Sequence, residues 1–240
     1  MPMFLSRPLP QARSRNPSAR NRGSDAKAVV RDAAATRAAI LRAAISEFAE
    51  RGVGGARVAR IAEASGFSKR MIYHYFQSRE NLFIAALEAI YSKFRIAEDE
   101  LSLRELAPID GMAKLVRYGW LHLNRNPEFI SLLNSENLNK ARYLKRSKLI
   151  RELQSPLMDT LRDLLTRGVR DGVFREDVDA VQLYITLSAL SYFYLSNIHS
   201  LSAIFSTNFS GKKLKNARED HIVDVVLGYL CCDPGAYQGR

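Results

Sequence analysis

Between Ser68 and Tyr75 the chain reads SKRMIYHY, and Lys69, Arg70, Met71, Tyr73 and His74 crowd that one short run. Lys and Arg suit guanine O6 and N7 or phosphate oxygens, whereas a methionine offers only apolar contact, for instance to a thymine methyl. A tyrosine hydroxyl and a histidine ring add donors or acceptors at the same surface. Such side chains read a polyanion only if a rigid element presents them together, and the segment from Val58 to Tyr75 has the physics of a helix-turn-helix. Counting from Val58, Ile61 is apolar at the fourth position, Ala62 small at the fifth and Gly66 in the turn at the ninth. Two helices that cross steeply meet almost backbone to backbone at the small residue, and a turn with positive φ excludes most side chains. Phe67, Ile72 and Phe76 complete the little core, and Ser68 is placed to cap the second helix. Those apolar residues, and Tyr75 with them, read as core whatever the function; the bland reading of Lys69 and Arg70 is a solvated face.

Charge supports the sharper reading. The 240 residues carry 36 Lys and Arg against 25 Asp and Glu, a net charge of +11, and the excess is uneven. Residues 1–80 hold 15 basic and 6 acidic side chains, net +9, while residues 81–240 hold 21 and 19, net +2. A polyanion-facing module on a near-neutral body follows; a solubilising basic tail is the alternative.

From about Thr36 to Leu87 the chain resembles the N-terminal DNA-binding domain of TetR-family regulators. The matching residues are Ala43, Ala44, Phe48, Gly52, Val58, Ile61, Ala62, Gly66, Ser68, Ile72, Tyr73, Tyr75, Phe76, Ser78, Arg79 and Leu82. The run IAEASGFSKRMIYHYFQSRENL is the specific part. The resemblance implies that the helix starting at Ser68 enters the major groove of duplex DNA, with Lys69, Arg70 and Met71 at base edges or phosphates. It puts Tyr73 at a phosphate-touching tyrosine, His74 at a position that varies with operator, and Arg79 at the usual phosphate-gripping lysine, where a helix N-terminus adds positive potential. Two departures matter. A hydroxyl residue often opens the first motif helix, and here Arg57 stands there, able to reach phosphate but not to cap. A Gly-Thr pair is replaced by Arg70-Met71, so no operator sequence carries over.

The elements that must position these residues are helical throughout, an all-α chain with no run of period two and no internal repeat. Residues 1–31, with four prolines and seven Arg or Lys against one Asp, read as a disordered basic arm. An import signal is the weaker reading, because Pro2, Pro8, Pro10 and Pro17 break the amphipathic helix it needs. Residues 32–80 form the helix-turn-helix domain and 81–240 a helical regulatory and dimerisation domain. Periodicity begins near Ala33 and stops at Gly52. Further helices run from Arg79 to about Glu100, between Pro108 and Pro127, from Pro127 to about Asn137, and from Pro156, at a first turn, to about Gly172. A polar, basic connection, Lys140 to Lys148, precedes Pro156. The last two helices run from Asp179 to about Ser200 and from Arg218 to Leu230, with a loop over 202–211.

Those last two helices are apolar on too many sides for a monomer's surface. The resemblance implies a four-helix interface between two copies, through Leu190, Tyr194, Ile222, Val225, Val226 and Tyr229; a monomeric core is the alternative. Polar residues interrupt the apolar helices of the body: Tyr118, His122, Asn134, Asn137, Tyr184, Tyr192, Asn197 and His199. Buried polar groups need partners, so a pocket for an unidentified small-molecule effector follows from this set and the resemblance together.

Other classes fit less well. The four histidines have no metal-ligand spacing, there is no Gly-rich phosphate loop and no nucleophile signature, so neither an enzyme nor a bound cofactor or metal is expected. The most apolar stretch, Val178 to Leu195, is interrupted by Asp179, Gln182, Thr186, Ser188 and Ser191, so no membrane span is expected. The adjacent Cys231 and Cys232 cannot staple a fold, which suits a reducing cytoplasm, and the resemblance implies a bacterial one. The expectation is a homodimeric, ligand-responsive repressor on an inverted-repeat operator. The alternative, a DNA-packaging or basic interaction protein without sequence preference, would not require Ala62, Gly66 and Ile72 in register.

Overall fold

The computed structural model describes residues 22–99 and 101–233, with side chains over 32–95, 101–153 and 156–233. Residues 1–21, most of the expected basic arm, lie outside the described residues. Helix α1 (Arg22–Gly55) begins well before the apolar periodicity does. Residues 22–31, expected to be disordered, are helical, although Gly23, Asp25, Val29 and Val30 are weak helix formers and no apolar stripe announces the run. Residues Ile40–Arg240 make one compact unit.

Within that unit a head is built from the end of α1, α2 (Val58–Ser65), α3 (Lys69–Phe76) and α4 (Arg79–Asp99). At Gly52 the backbone takes φ 64°, which ends the regular run of α1. Gly66 caps α2 at φ 75°, and Ser68 Oγ accepts the Met71 N–H at 3.2 Å, as the spacing required. Arg57 gives α2 no side-chain cap; instead Glu47 reaches across to accept the Arg57 N–H at 3.0 Å. Ile61, Ile72 and Phe76 are buried, while Ala62 and Phe67 are half-buried against the same core. The phenyl rings of Phe48 and Phe83 meet edge to face at 4.9 Å beneath them. Because Leu82, Phe83, Ala86 and Leu87 of α4 complete this core, α4 spans the boundary expected at residue 80.

The body comprises α5 (Pro108–Arg125), α6 (Pro127–Leu138), α7 (Lys148–Arg170), α8 (Ala180–Ser196), α9 (Ile198–Ile204) and α10 (Lys212–Leu230). Three boundaries differ from expectation. Ser147 Oγ accepts the Ile150 N–H and starts α7 ahead of Pro156, which therefore lies inside the helix rather than in its first turn. Asn197, at φ −109° and ψ 15°, splits the expected Asp179–Ser200 helix into α8 and α9. The polar run from Lys212 joins α10, a surface turn with no apolar stripe to reveal it. Trp120, Leu161, Leu164, Ile222, Val226 and Leu227 form the body's own core. A Cβ on Gly168 would come within 2.0 Å of the Phe174 ring, so α7 needs a bare backbone there. No strand occurs among the described residues, only an isolated antiparallel bridge between Phe174 and Cys231.

Candidate DNA-binding surface and ligand cavity

The short α3 helix buries Ile72 and Phe76 and turns its other faces to solvent. Lys69, Arg70, Met71, Tyr73 and His74 are all exposed, Met71 to 39% and Tyr73 to 45%. Large apolar area left in water on a helix that is otherwise cationic fits a surface awaiting a partner. Arg57 is exposed at the start of α2. Arg79 differs from the sequence expectation in one respect. Its guanidinium is only part-exposed and donates to the Ala56 carbonyl at 3.4 Å, with Glu80 4.0 Å away. That contact ties the start of α4 to the turn before α2, so phosphate binding there would share a cation already held in place.

A second site lies in the body, where α4, α5, α6, α7 and α8 enclose a cavity of about 250 Å³. Its walls are mainly apolar, including Phe94, Leu115, Phe129, Leu157, Leu161 and Leu187. Of the eight polar residues singled out from the sequence, Tyr118, Asn137, Tyr184 and Tyr192 line it. His122 and Asn134 stand behind the wall. The His122 ring stacks on Phe94 at 4.3 Å, with Nδ1 3.3 Å from the Tyr118 hydroxyl, which itself donates to the Phe94 carbonyl at 2.5 Å. Burial, with Lys93 and Arg95 nearby, pushes the His122 imidazole down to about 4, so it is neutral at physiological pH. Asn134 accepts from the Tyr192 hydroxyl and donates to Ser196 Oγ. The other two are not brought to the cavity: Asn197 ties off the end of α8 by donating to the Phe193 carbonyl, and His199 is exposed.

Sequence reading missed Arg95, Tyr91, Ser188 and Ser191, all of which line the cavity. Arg95 is 6% exposed and lies 4.8 Å over the Phe94 ring. Burial pushes the Tyr91 phenol up to about 12, which keeps it a neutral donor. The last two turns of α6 connect cavity to head. Asn137 lines the cavity, and Ser135 Oγ accepts the Val53 N–H at 3.2 Å, beside Gly52. The buried Glu136 carboxylate accepts from the Tyr143 and Leu144 N–H groups at 2.7 and 2.8 Å. That clip sets Tyr143 edge to face on Phe83, at 5.1 Å, and Arg146 on Asn81 at 3.1 Å.

The expected interface residues divide. Ile222, Val226 and Tyr194 are 0%, 2% and 7% exposed and belong to the core of their own chain, which corrects their assignment to an interface. Leu190 is half-buried against that core. Val225 and Tyr229 of α10 are exposed, as are Val181, Ile185 and Phe193 of α8. Amphipathic spacing reveals that a stripe is buried but not what covers it.

The sequence profile of the family described as "Bacterial regulatory proteins, tetR family" matches residues 40–86, and "Tetracyclin repressor-like, C-terminal domain" matches residues 108–226. The chain is 35% identical over 192 residues to the HTH-type transcriptional repressor NicS of Pseudomonas putida, covering 80% of this chain and 91% of that one. Among solved structures, a bacterial regulatory protein of the tetR family from Rhodococcus aligns with a TM-score of 0.66 at 16% identity, over 82% of this chain and 98% of that one. The regulator FadR of Bacillus subtilis, solved with stearoyl-CoA, aligns at 0.58 and 18% identity, over 80% and 97%. Among the described residues no helix is long and apolar enough to cross a membrane.

Proposed function

This chain belongs to the tetR family of bacterial regulatory proteins and is a DNA-binding transcriptional regulator; we propose that it is a repressor, acting in the bacterial cytoplasm as a homodimer that a small molecule releases from an inverted-repeat operator. The observation that carries the reading is α3, whose cations and Met71 are exposed on a motif whose buried residues fix its angle. Arg70 and Met71 read base edges; Lys69, Tyr73, Arg57 and Arg79 position the head on phosphates, and His74 takes the operator-dependent place. The exposed apolar residues of α8 and α10, with Ile185, Phe193, Val225 and Tyr229 at their centre, support pairing with a second copy. Two heads then meet half-sites one helical turn apart, about 34 Å, or a multiple of it. Repression is the role named for NicS.

The effector binds in the body cavity, and α6 carries its presence to the head. A ligand touching Asn137 bears on the helix whose Ser135 holds Val53 and whose Glu136 holds the Tyr143 clip. Residues 1–31 serve as a basic arm that strengthens binding to any duplex.

The test is binding to the DNA flanking the protein's own coding sequence, against random duplex of equal length. Tight binding with an inverted-repeat footprint is expected. With four cations per subunit directed at DNA, log affinity falls against log salt with a slope of roughly −4 to −7. Equal affinity for both duplexes would favour a packaging protein, and a flat salt response would remove the electrostatic account.

A further inference from the structure

Six of the 21 basic residues of 81–240 fall within positions 139–151: Lys140, Arg142, Lys145, Arg146, Lys148 and Arg151. No Asp or Glu occurs in that run, and the rest of 81–240 holds 15 basic against 19 acidic residues. The positive charge of the body is therefore concentrated in the connection between α6 and α7 and the start of α7. All six side chains are exposed, and none forms an ion pair with a carboxylate of the described residues. We propose that this connection is a second DNA-contacting surface, whose cations grip the phosphate backbone beside each half-site, outside the base pairs that α3 reads. It rests on the reading that α3 and the start of α4 face the duplex, and it adds a contact made by the body.

Position argues for DNA over an acidic protein. Arg146 donates to the Asn81 side-chain oxygen at 3.1 Å, and Asn81 lies in the first turn of α4, its N–H on Ser78 Oγ at 3.0 Å. Arg79 is two residues away, about 3 Å along the axis at ~1.5 Å per residue. A duplex carries one charge per ~1.7 Å of its own axis, so a phosphate within reach of Arg79 has others close to Arg146 and its neighbours. The connection is also held rigidly. Glu136 accepts the Tyr143 and Leu144 N–H groups at 2.7 and 2.8 Å, and the Ser147 hydroxyl donates to Glu88 at 2.7 Å. The two carboxylates against the connection are thus engaged by neutral donors, which leaves its cations to solvent. Lys140 and Ala141 take φ 56° and 57°, left-handed values that L residues avoid, and the Ala141 N–H holds the bend on the Glu136 carbonyl at 3.0 Å. Cations fixed on such a frame lose less freedom on meeting phosphates than those on a loose loop.

The experiment uses the full chain and two duplexes that share the footprint beside its own coding sequence, one trimmed to the half-sites and one extended on both sides. Random duplexes of the same lengths run alongside, because phosphate contacts carry no sequence. The triple substitution Arg142→Gln, Lys145→Gln and Arg146→Gln removes three exposed charges and keeps polar side chains. On the extended duplex it should bind roughly tenfold to a hundredfold more weakly than the parent, and on the trimmed one nearly alike. The four cations of the head give a salt slope of roughly −4 to −7; one to three further phosphates per subunit steepen the parent's slope by roughly 2 to 5, which the variant loses. Arg142→Lys with Arg146→Lys keeps the charge and should keep the slope. Equal binding by parent and triple variant overturns the proposal and leaves a solvated face or a site for an acidic protein. A loss on both lengths with an unchanged slope also overturns it, since the connection then only braces the head. Should the triple variant melt early, the parent decides: no gain on extending the duplex, and no hydroxyl-radical protection outside the half-sites, overturns the proposal. Arg70→Ala separates the two claims. If it weakens operator binding while the triple variant does not, only the connection fails; if neither weakens any duplex, the reading of the head fails too.

Discussion

The head and the body use the same three residue types in opposite environments. On α3, Arg70, Tyr73 and His74 stand in water on a rigid helix. In the body, Arg95, Tyr91 and His122 are drawn inward around a cavity, with Arg95 at 6% and His122 at 8% exposure. The role of the outward set is decided by where a helix holds it. The inward set is altered by its surroundings: burial lowers His122, raises Tyr91 and makes a charge conspicuous at Arg95. Recognition of a polyanion calls for many solvated cations, while recognition of a small molecule calls for few groups, dried and aimed.

The sharpest way to break this contrast is to charge the exposed apolar face that neither set occupies. The double substitution Ile185→Glu with Val225→Glu leaves both cores intact, since both residues are exposed. It should give a monomer by sedimentation with helical circular dichroism retained, and operator affinity should fall on the order of a thousandfold, towards that for random DNA. A variant that stays dimeric would remove α8 and α10 from the interface. Val226→Glu, by contrast, buries a charge in the chain's own core and should unfold the body.

A smaller effect tests the inward set. His122 titrates near 4 when folded against 6.5 when free, so the unfolded chain takes up the proton first as pH falls. Its contribution to stability is complete above about pH 6.5 and drains away towards pH 4, by up to about 3 kcal/mol. Thermal melts over that window should show the loss, and His122→Gln should flatten it; an unchanged slope would mean that the ring is not held neutral.

The outward set predicts the smallest change and the most selective. Arg70→Ala should cost about 1–3 kcal/mol on operator and much less on random duplex. Arg79→Ala should lower both alike, since its guanidinium lies at the turn that braces the head rather than on α3. The same profile for both would remove base reading from Arg70.

How far each region could be read from sequence follows from the same contrast. The turn at Gly66, the Ser68 cap and the inward side of α3 are determined within a few residues of one another, so spacing alone revealed them. The cavity is assembled from Tyr91 on α4, Tyr118 on α5, Asn137 on α6, Leu161 on α7 and Tyr184 on α8, and no local pattern marks that convergence. Arg95 passes for an ordinary surface cation in sequence because arginines are seldom buried. Ile222 and Val226 were recognisable as buried, but periodicity is silent on whether the covering surface belongs to the same chain. Proline favours a helix start, so Pro156 reads as one in sequence, while the capping Ser147 sits inside a stretch whose basic residues read as a connection.

The Val53–Ser135 bond sets a scale for switching. A neutral hydrogen bond contributes about 0.5–1.5 kcal/mol. Carrying a two-state population from 1:99 to 99:1 takes a differential of about 5.5 kcal/mol. One such bond therefore covers a small part of a full transition. If α6 is the lever, Val53 on Ser135, Tyr143 on Phe83 and Ser147 on Glu88 must release as a set, because Glu136 ties the second to the helix and the third follows in the same loop. A ligand that loosens the set together makes a toggle; one that reaches only Ser135 makes a dimmer, lowering occupancy of DNA by a few-fold.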